Sequence, residues 1–559
     1  MNSKYDDFSQ KANSKINWSR DDVSSKVIDF ISHKEQLSQR EFARKNNIPR
    51  TTLQHWLNRI DTIAADPALI AFLESPAGVN FLHLLIQALH FEFTKVGCAS
   101  IHNICNFLEI CKLSNFVAAS YGTHQKISNQ MDLMLTNFGD IEQTRLAKQM
   151  PEKRITLCED ETFHPQVCLV GIEPVSNFIV LERYADDRSG KTWNEAVATG
   201  LANLPVQVLQ STSDEDKGLI NHATEGLKGH HSPDLFHVLY EISKGISVAL
   251  AGAVRNAVKD YEKCEKATLD VGKNRAKYES LEKRSVGRRP YFENKIAFAR
   301  RKEQNAEIAL EKARSNQETA TKAKREISKI YHPYDPLTGE KQGPVTVSRN
   351  LKVSFDQIRS AADSLSDRCK KRIEKAWRVT DKMTATVAFF FYMIESFVKE
   401  LALTDDKQEL MHSRLIPGFY LQKVAEREKY PDRKEAIRQK SQELLSILQN
   451  RNGALSGCSD SEMDRMKRRA RECAGLFQRS SSCVEGRNAQ LSLRHHGMHR
   501  LSDRKLKALT VIHNYYLRRP DGTTAAERFF ENKPIDMFEW LLDNMALPPR
   551  PRSKIKLAA

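Results

Sequence analysis

The chain reads as an α/β core with a small helical unit at its N-terminus and a large all-α insertion. Three observations lead there. A block of short apolar runs between residues 154 and 210 has the length and turn punctuation of strands. Long stretches on both sides of it carry apolar residues at helical spacing. The 559 residues exceed one ordinary domain, so about three or four units are expected.

Taken in order, residues 1–20 are polar and predict a disordered N-terminus. Residues 21–62 form a compact helical unit, and 63–150 a helical linker domain. In the latter, Leu69, Phe72 and Leu73, then Phe81, Leu82, Leu84, Leu85 and Leu89, and later Ile104, Phe107, Leu108 and Ile110, recur at helical spacing. The pattern changes at residue 154. Arg154 to Cys158, Val167 to Ile172 and Phe178 to Leu181 read as three strands, with turns at Glu173-Pro174 and Ser176-Asn177. A helix over Thr192 to Leu204 and a strand over Val206 to Gln210 follow, giving β-β-β-α-β within a first core segment, 151–240. Residues 241–475 are almost wholly helical in character, interrupted by a Pro/Gly-rich loop from Tyr331 to Pro344. The stretches 245–282 and 291–330 predict an antiparallel hairpin of two long helices with a basic tip at Lys283, Arg284, Arg288 and Arg289. Residues 476–545 return to the core, and 546–559 form a basic tail expected to be flexible.

Lysine and arginine number 87 against 71 acidic residues, a formal net charge of +16. That surplus favours a polyanionic partner. Nucleic acid fits better than membrane, because no apolar run approaches the roughly 20 residues a span requires. The strongest candidate, Thr384 to Val398, contains Glu395 and Ser396 and reads as a buried helix. The first residues lack an apolar signal core, so the expected location is the cytoplasm, in association with the nucleoid. The 10 cysteines include no Cys-x-x-Cys pair, and reduced thiols are expected rather than a zinc site.

Two constellations carry the chemistry. In the first, Ser38 and Glu41 have the spacing of a capping box, Ala43 is small enough for a close helix crossing, and Asn46 to Pro49 makes a turn. Leu53, Trp56 and Leu57 then face inward along a second helix and leave Arg50, Thr51, Gln54 and His55 exposed, with Arg59 near its end. This is helix-turn-helix chemistry, in which short polar side chains read base edges and arginines hold phosphates. An ordinary helical hairpin is the plainer alternative.

The second is a set of carboxylates. Asp160 ends the first strand and Asp214 follows the fourth. In a β-β-β-α-β unit of ribonuclease H type those strands are neighbours, so the two acids would sit side by side. Hard divalent cations bind such oxygen clusters. Glu161, Asp216 and Asp234 are rival ligands, and Asp216 is the substitute for Asp214. Far downstream, Ser481, Glu485, Asn488 and Ser492 share one face of a predicted helix, a polar stripe natural for a metal-facing surface. Arg487 and Arg494, with His495, His496, His499 and Arg500, are expected near DNA, and Arg288 and Arg289 are expected to hold it at the hairpin tip.

The order Asp, Asp, long helical insertion, Glu resembles DDE-type transposases of bacterial insertion sequences and of the Mutator-like and hAT-like groups. Asp234-Leu235-Phe236-His237 resembles the Cys/Asp-x-x-His motif that follows their second acid. The stretches VEGRNAQLSLRHHGMHRLSDRKLKAL and GTTAAERFF also look like those of an insertion-sequence subgroup, and the resemblance runs from about residue 36 to 552. The Tyr, Arg and Lys arrangement that some of these proteins carry around the Glu is not seen. The resemblance implies a ribonuclease H-like catalytic core with an N-terminal helix-turn-helix. Asp160, Asp214 and Glu485 would be the catalytic metal ligands, with Mg²⁺ or Mn²⁺ as cofactor and Asp234, His237 and Asn488 in support. It further implies double-stranded DNA, both element ends and target, as substrate, and a homo-oligomer on that DNA. Two other classes compete: a catalytically inactive DNA-binding regulator, and a structural protein using residues 245–330 as an oligomerisation coil.

Overall fold

The computed structural model describes residues 18–551, apart from 62, 64, 164–165, 283–286, 288–289, 451–452 and 499–500. The expected disordered segment therefore falls almost wholly outside the described residues, as do Lys283, Arg284, Arg288, Arg289, His499 and Arg500. The chain divides into two compact units, residues 1–150 with 492–559 and residues 151–491. The serial segmentation expected from the sequence thus meets a different division, in which the C-terminal segment shares a unit with the first 150 residues.

The first unit opens with three short helices, α1 (Arg20–His33), α2 (Gln39–Lys45) and α3 (Arg50–Asp61). Val23, Phe30, Phe42, Leu53 and Trp56 form their common core. Ser38 and Glu41 cap α2 reciprocally, with Ser38 N donating to Glu41 Oε2 at 3.0 Å and Glu41 N to Ser38 Oγ at 3.3 Å. Asn47 takes the left-handed conformation, φ 53°, that turns the chain between α2 and α3, a region Asn tolerates better than most residues. The 27-residue α4 (Tyr121–Ala147) is the spine of the remainder. Helix Asp503–Tyr515 crosses it closely, and a Cβ at Gly139 would lie 2.4 Å from Val511 Cγ2. The described part of the C-terminal tail is docked rather than free. Ala118 N donates to Pro549 O at 2.8 Å, and Arg550 pairs with Glu74 at 2.5 Å.

The second unit holds a single five-stranded sheet of β1 (Lys153–Phe163), β2 (Val167–Glu173), β3 (Phe178–Ala185), β4 (Val206–Ser213) and β5 (His230–Pro233). The strand order is β3-β2-β1-β4-β5. β1 to β3 form an antiparallel meander, while β4 pairs parallel to β1 and β5 parallel to β4. Parallel neighbours need a crossover, and α5 (Gly190–Gly200) supplies it between β3 and β4. A fifth strand was not expected from the sequence. Alternation divides β1 between two faces. Ile155 and Leu157 pack with Trp193 and Val197 of α5 and with Leu219 of the short helix α6 (Lys217–Asn221). Thr156, Cys158 and Asp160 point to the other side, where Thr156 Oγ1 donates to Leu476 O at 2.8 Å.

Two long helices leave the sheet, α7 (Leu235–Glu279) and α8 (Phe292–Ile330), and pack along each other as the expected hairpin. Their bases join α9 (Pro344–Ala361), α10 (Asp367–Arg378), α11 (Thr380–Lys399) and α12 (Asp460–Leu476) in one large apolar core. The apolar run at Thr384 to Val398 lies in α11, with Val387, Phe390, Ile394 and Phe397 buried in that core. Among the described residues no single helix is long and apolar enough to cross a membrane. The unit closes on α13 (Ser482–Met498), whose last turns pass beyond Leu491 into the first unit's residues.

Candidate functional site

The last registered pair of β1 and β4 is Cys158 with Thr212. Two residues further along each parallel strand stand Asp160 and Asp214. Asp160 lies within β1, and Asp214 is the first residue past the end of β4. Asp160 Oδ1 accepts from Glu161 N at 2.9 Å, and Asp214 Oδ1 accepts from Asp216 N at 2.9 Å. From α13, Asn488 Nδ2 donates to Asp160 Oδ2 at 3.2 Å, and Glu485 lies one turn earlier on the same face. Burial pushes the Asp160 carboxyl up to about 7, and the negative charges of Glu485 and then Asp214 add to the rise. Asn488 thus ties α13, which carries Glu485, to Asp160 of β1, the strand beside the one that leads into Asp214.

Asp234 ties this group together from the side. It caps α7, its Oδ1 accepting from Phe236 N at 2.8 Å. Its Oδ2 accepts from Ser481 Oγ at 2.8 Å and from His237 Nδ1 at 2.9 Å. The hydrogen bond to buried Asp234 raises the His237 imidazole to about 9, and the charges of Asp214 and Asp160 contribute further. His237 is consequently an imidazolium at neutral pH, placed within the field of the acids.

The rival acids have partners of their own, although Glu161 Oε2 is buried without a hydrogen-bond partner. Glu161 pairs with Arg188 at 2.8 Å. Asp216 caps α6, accepting from Gly218 N at 2.8 Å, and approaches Arg188 at 3.7 Å. Asp234 spends both oxygens as described. Among the described residues, no group of three or more His, Cys, Asp or Glu side chains is placed to hold a metal ion as it stands. The chemistry of the donor set nevertheless fits a hard divalent cation. Burial drives the Asp160 carboxyl up to about 7, with the charges of Glu485 and Asp214 adding to the rise, and a cation relieves negative charge of that kind. Asn488 Oδ1, beside them, is buried without a hydrogen-bond partner.

The basic residues divide into three groups. Arg50, Thr51, Gln54 and His55 are exposed on α3, as expected. Arg487, Arg494 and Arg59, expected on DNA, are drawn into the protein. Arg487 makes a bidentate pair with Glu182 on β3, both bonds 2.7 Å, with the side chains only 6% and 0% exposed. A guanidinium so desolvated and so matched has no fork left for phosphate. Arg494 donates to the carbonyls of Lys95, Val96 and Gly97 at 2.7, 2.8 and 3.1 Å, closing the end of helix His90–Val96. Arg59 is half-buried and donates to Pro551 O at 2.8 Å. Arg288 and Arg289 lie outside the described residues.

Sequence reasoning missed a second polar network on the opposite face of β1. Glu159 is fully buried, accepts from Ser211 Oγ and meets His222 Nε2 at 3.0 Å. It stands beside Asp160 in the sequence, and strict strand alternation is the signal that separates the two. Glu182 was also missed. It sits on the row Asp160–Val170–Glu182 across three strands, so it and Asp160 bracket the sheet surface beneath α13. The thiol of Cys158, two residues before Asp160, donates to Ser480 O at 3.7 Å across the same seam. All 10 cysteines are free.

Residues 411–557 match a family of unknown function, DUF6399. None of the curated proteins matches the chain.

Proposed function

We propose that the chain is a DDE-type DNA transposase that cuts and joins DNA at a site built from Asp160, Asp214 and Glu485. The observation that carries this reading is the hydrogen bond from Asn488 of α13, one turn after Glu485, to Asp160 of β1, beside the parallel strand β4 that leads into Asp214. The strand order β3-β2-β1-β4-β5, with its parallel β1–β4 pair, supports a ribonuclease H-like core. The exposed face of α3 supports a helix-turn-helix that reads the ends of a mobile element.

Asp160, Asp214 and Glu485 would hold Mg²⁺ or Mn²⁺, which supplies positive charge for the attacking and leaving oxygens of a phosphodiester displacement. The chain's own residues position and neutralise. Asn488 steers one Asp160 oxygen and leaves the other to the backbone. His237, fixed as an imidazolium by Asp234, offers a cation to the phosphate. The N-terminus of α7 adds its dipole in the same direction. The reaction is hydrolysis that frees a 3′-OH at the element's end, followed by attack of that hydroxyl on target DNA. No covalent protein–DNA intermediate is involved. The working form is a homo-oligomer on DNA in the cytoplasm, associated with the nucleoid.

The test is metal-dependent nicking of duplex DNA that carries the sequences flanking the coding region. The unaltered chain should produce 3′-OH ends in Mg²⁺ or Mn²⁺ and none in EDTA. Asp160→Asn should remove cleavage while DNA binding persists. Binding without cleavage by the unaltered chain in either metal would identify a DNA-binding regulator instead. Full cleavage by Asp160→Asn would overturn the site assignment.

A further inference from the structure

The first turns of α7 carry more than the Asp234–His237 pair. Phe236 and Tyr240, one turn apart, are 50% and 46% exposed. Their rings are parallel to within 7°, with centroids 6.2 Å apart. One turn further, Lys244 Nζ lies over the Tyr240 ring, 4.0 Å from its centroid. Phe236 also meets the His237 ring edge to face at 5.8 Å, which joins this ladder directly to the site. Two paired aromatic rings left in water, with cations at both ends, have the composition of a base-stacking platform.

A strongly basic surface adjoins it. Arg368, Lys371, Arg372 and Lys375 occupy one face of α10 at i, i+3, i+4 and i+7. α10 packs closely on α7 at Gly245, where a Cβ would stand 3.3 Å from Cys369 O and Ile373 Cγ1. Between the helices lies an open recess of about 520 Å³ lined by these four residues and Glu241. Glu241 is paired, loosely, with Arg372 at 3.5 Å. Among the described residues no acidic side chain pairs with Arg368, Lys371 or Lys375. At about 1.5 Å per residue, Glu241 stands roughly 9 Å along α7 from Leu235.

We propose that this surface is a track for a single DNA strand. An unpaired base next to the cut phosphodiester stacks on Phe236 and Tyr240, and the following phosphates pass Lys244 into the recess between α7 and α10. The proposal rests on reading the acids as a DNA-cutting centre. A paired base hides its faces in the duplex stack, so rings presented this way serve a strand that is unpaired or a nucleotide that has been flipped out. The four basic side chains of α10 supply the matching charge, so the occupant is nucleic acid rather than an apolar peptide.

The experiment uses the full chain carrying Asp160→Asn, so that nothing is cut. The probes are a fluorescein-labelled 12-nucleotide oligothymidylate and a blunt duplex of equal length. Phe236→Ala with Tyr240→Ala should weaken oligothymidylate binding about tenfold or more and leave the duplex within about twofold. Phe236→Leu with Tyr240→Leu, which keeps apolar bulk, should show the same loss, and an unchanged thermal melt establishes that both variants fold. Lys371→Ala with Lys375→Ala should flatten the slope of log K against log salt by up to about 1.4 on the single strand. Oligothymidylate binding that ignores both rings, or an equal loss on both probes, overturns the track. Nicking by the unaltered chain alongside ring-independent binding would overturn the track and leave the transposase reading standing. Ring-dependent binding without nicking would do the reverse.

Discussion

Replacing Asp234 by asparagine should release His237 from its raised pKa, and the consequence can be worked from the structure. The imidazole stands at about 9 instead of 6.5, chiefly through its hydrogen bond to Asp234. A difference of that size corresponds to about 3 kcal/mol between the two protonation states. With 34% of the His237 side chain exposed, solvent screening leaves roughly 1–2 kcal/mol. The sign follows from the direction. A group whose pKa is raised on folding contributes in full below its unfolded value, here 6.5, and the contribution disappears as pH climbs through about 9. The unaltered chain should therefore lose stability between about pH 6.5 and 9 by that amount. Asp234→Asn should lose it at the outset and show a flatter profile. Asparagine is itself a good N-cap, so the start of α7 survives the change. Histidine-ring NMR titration, with His237→Gln to identify the resonance, reads the midpoint directly, and urea unfolding at several pH values reads the stability. A His237 midpoint near 6.5 in the unaltered chain, or near 9 in both chains, would refute the reasoning.

Other outcomes follow from particular contacts. Arg487→Met takes the bidentate guanidinium away from the buried Glu182 carboxylate, so it should cost about 3–5 kcal/mol; adding Glu182→Leu should restore much of it, and chemical unfolding of the two variants decides. Gly139→Ala should lower stability by about 1–3 kcal/mol, because its methyl meets Val511 at close range. Val511→Ala should relieve that strain, and an unchanged melting temperature in the single variant would show that the crossing is looser than described. Gln54→Ala should relax base preference by about 1–3 kcal/mol if its amide pairs with adenine in the major groove. Competition between element-end and random duplexes measures this, and equal weakening on both would assign α3 to non-specific binding.

The parts of the fold that local chemistry dictates were readable from the chain. Alternating apolar residues and turn signals mark β1 to β4, the Ser38–Glu41 spacing marks the start of α2, and Glu395 within an apolar run marks α11 as a core helix rather than a span. The strand positions of Asp160 and Asp214 were also readable, Asp160 lying on β1 and Asp214 following β4, which pairs parallel to it. Other features have no local signature. β5 is four residues long and includes two histidines and a proline, so neither length nor alternation announces it. Arg487 and Arg494 look like phosphate contacts because arginine is usually solvated, and only partners distant in the sequence, Glu182 and the carbonyls of Lys95 to Gly97, turn them inward. Glu159 was obscured by its neighbour, since adjacent acids on a strand face opposite sides and only one can join the site.

The partition of the chain also fixes an order of events during synthesis. The small core of α1 to α3 is complete by about residue 60 and can consolidate as soon as it emerges. The rest of that unit cannot. The buried side of α4 awaits Val511, Tyr515 and Trp540, with Phe138 meeting the last two rings at 5.7 and 5.5 Å. At roughly 5–20 residues per second, Phe138 waits about 20 seconds or more for those partners. A message truncated before Ser492 would therefore yield a chain with a finished three-helix module, an uncovered α4 and exposed apolar surface of the kind that chaperones and proteases recognise.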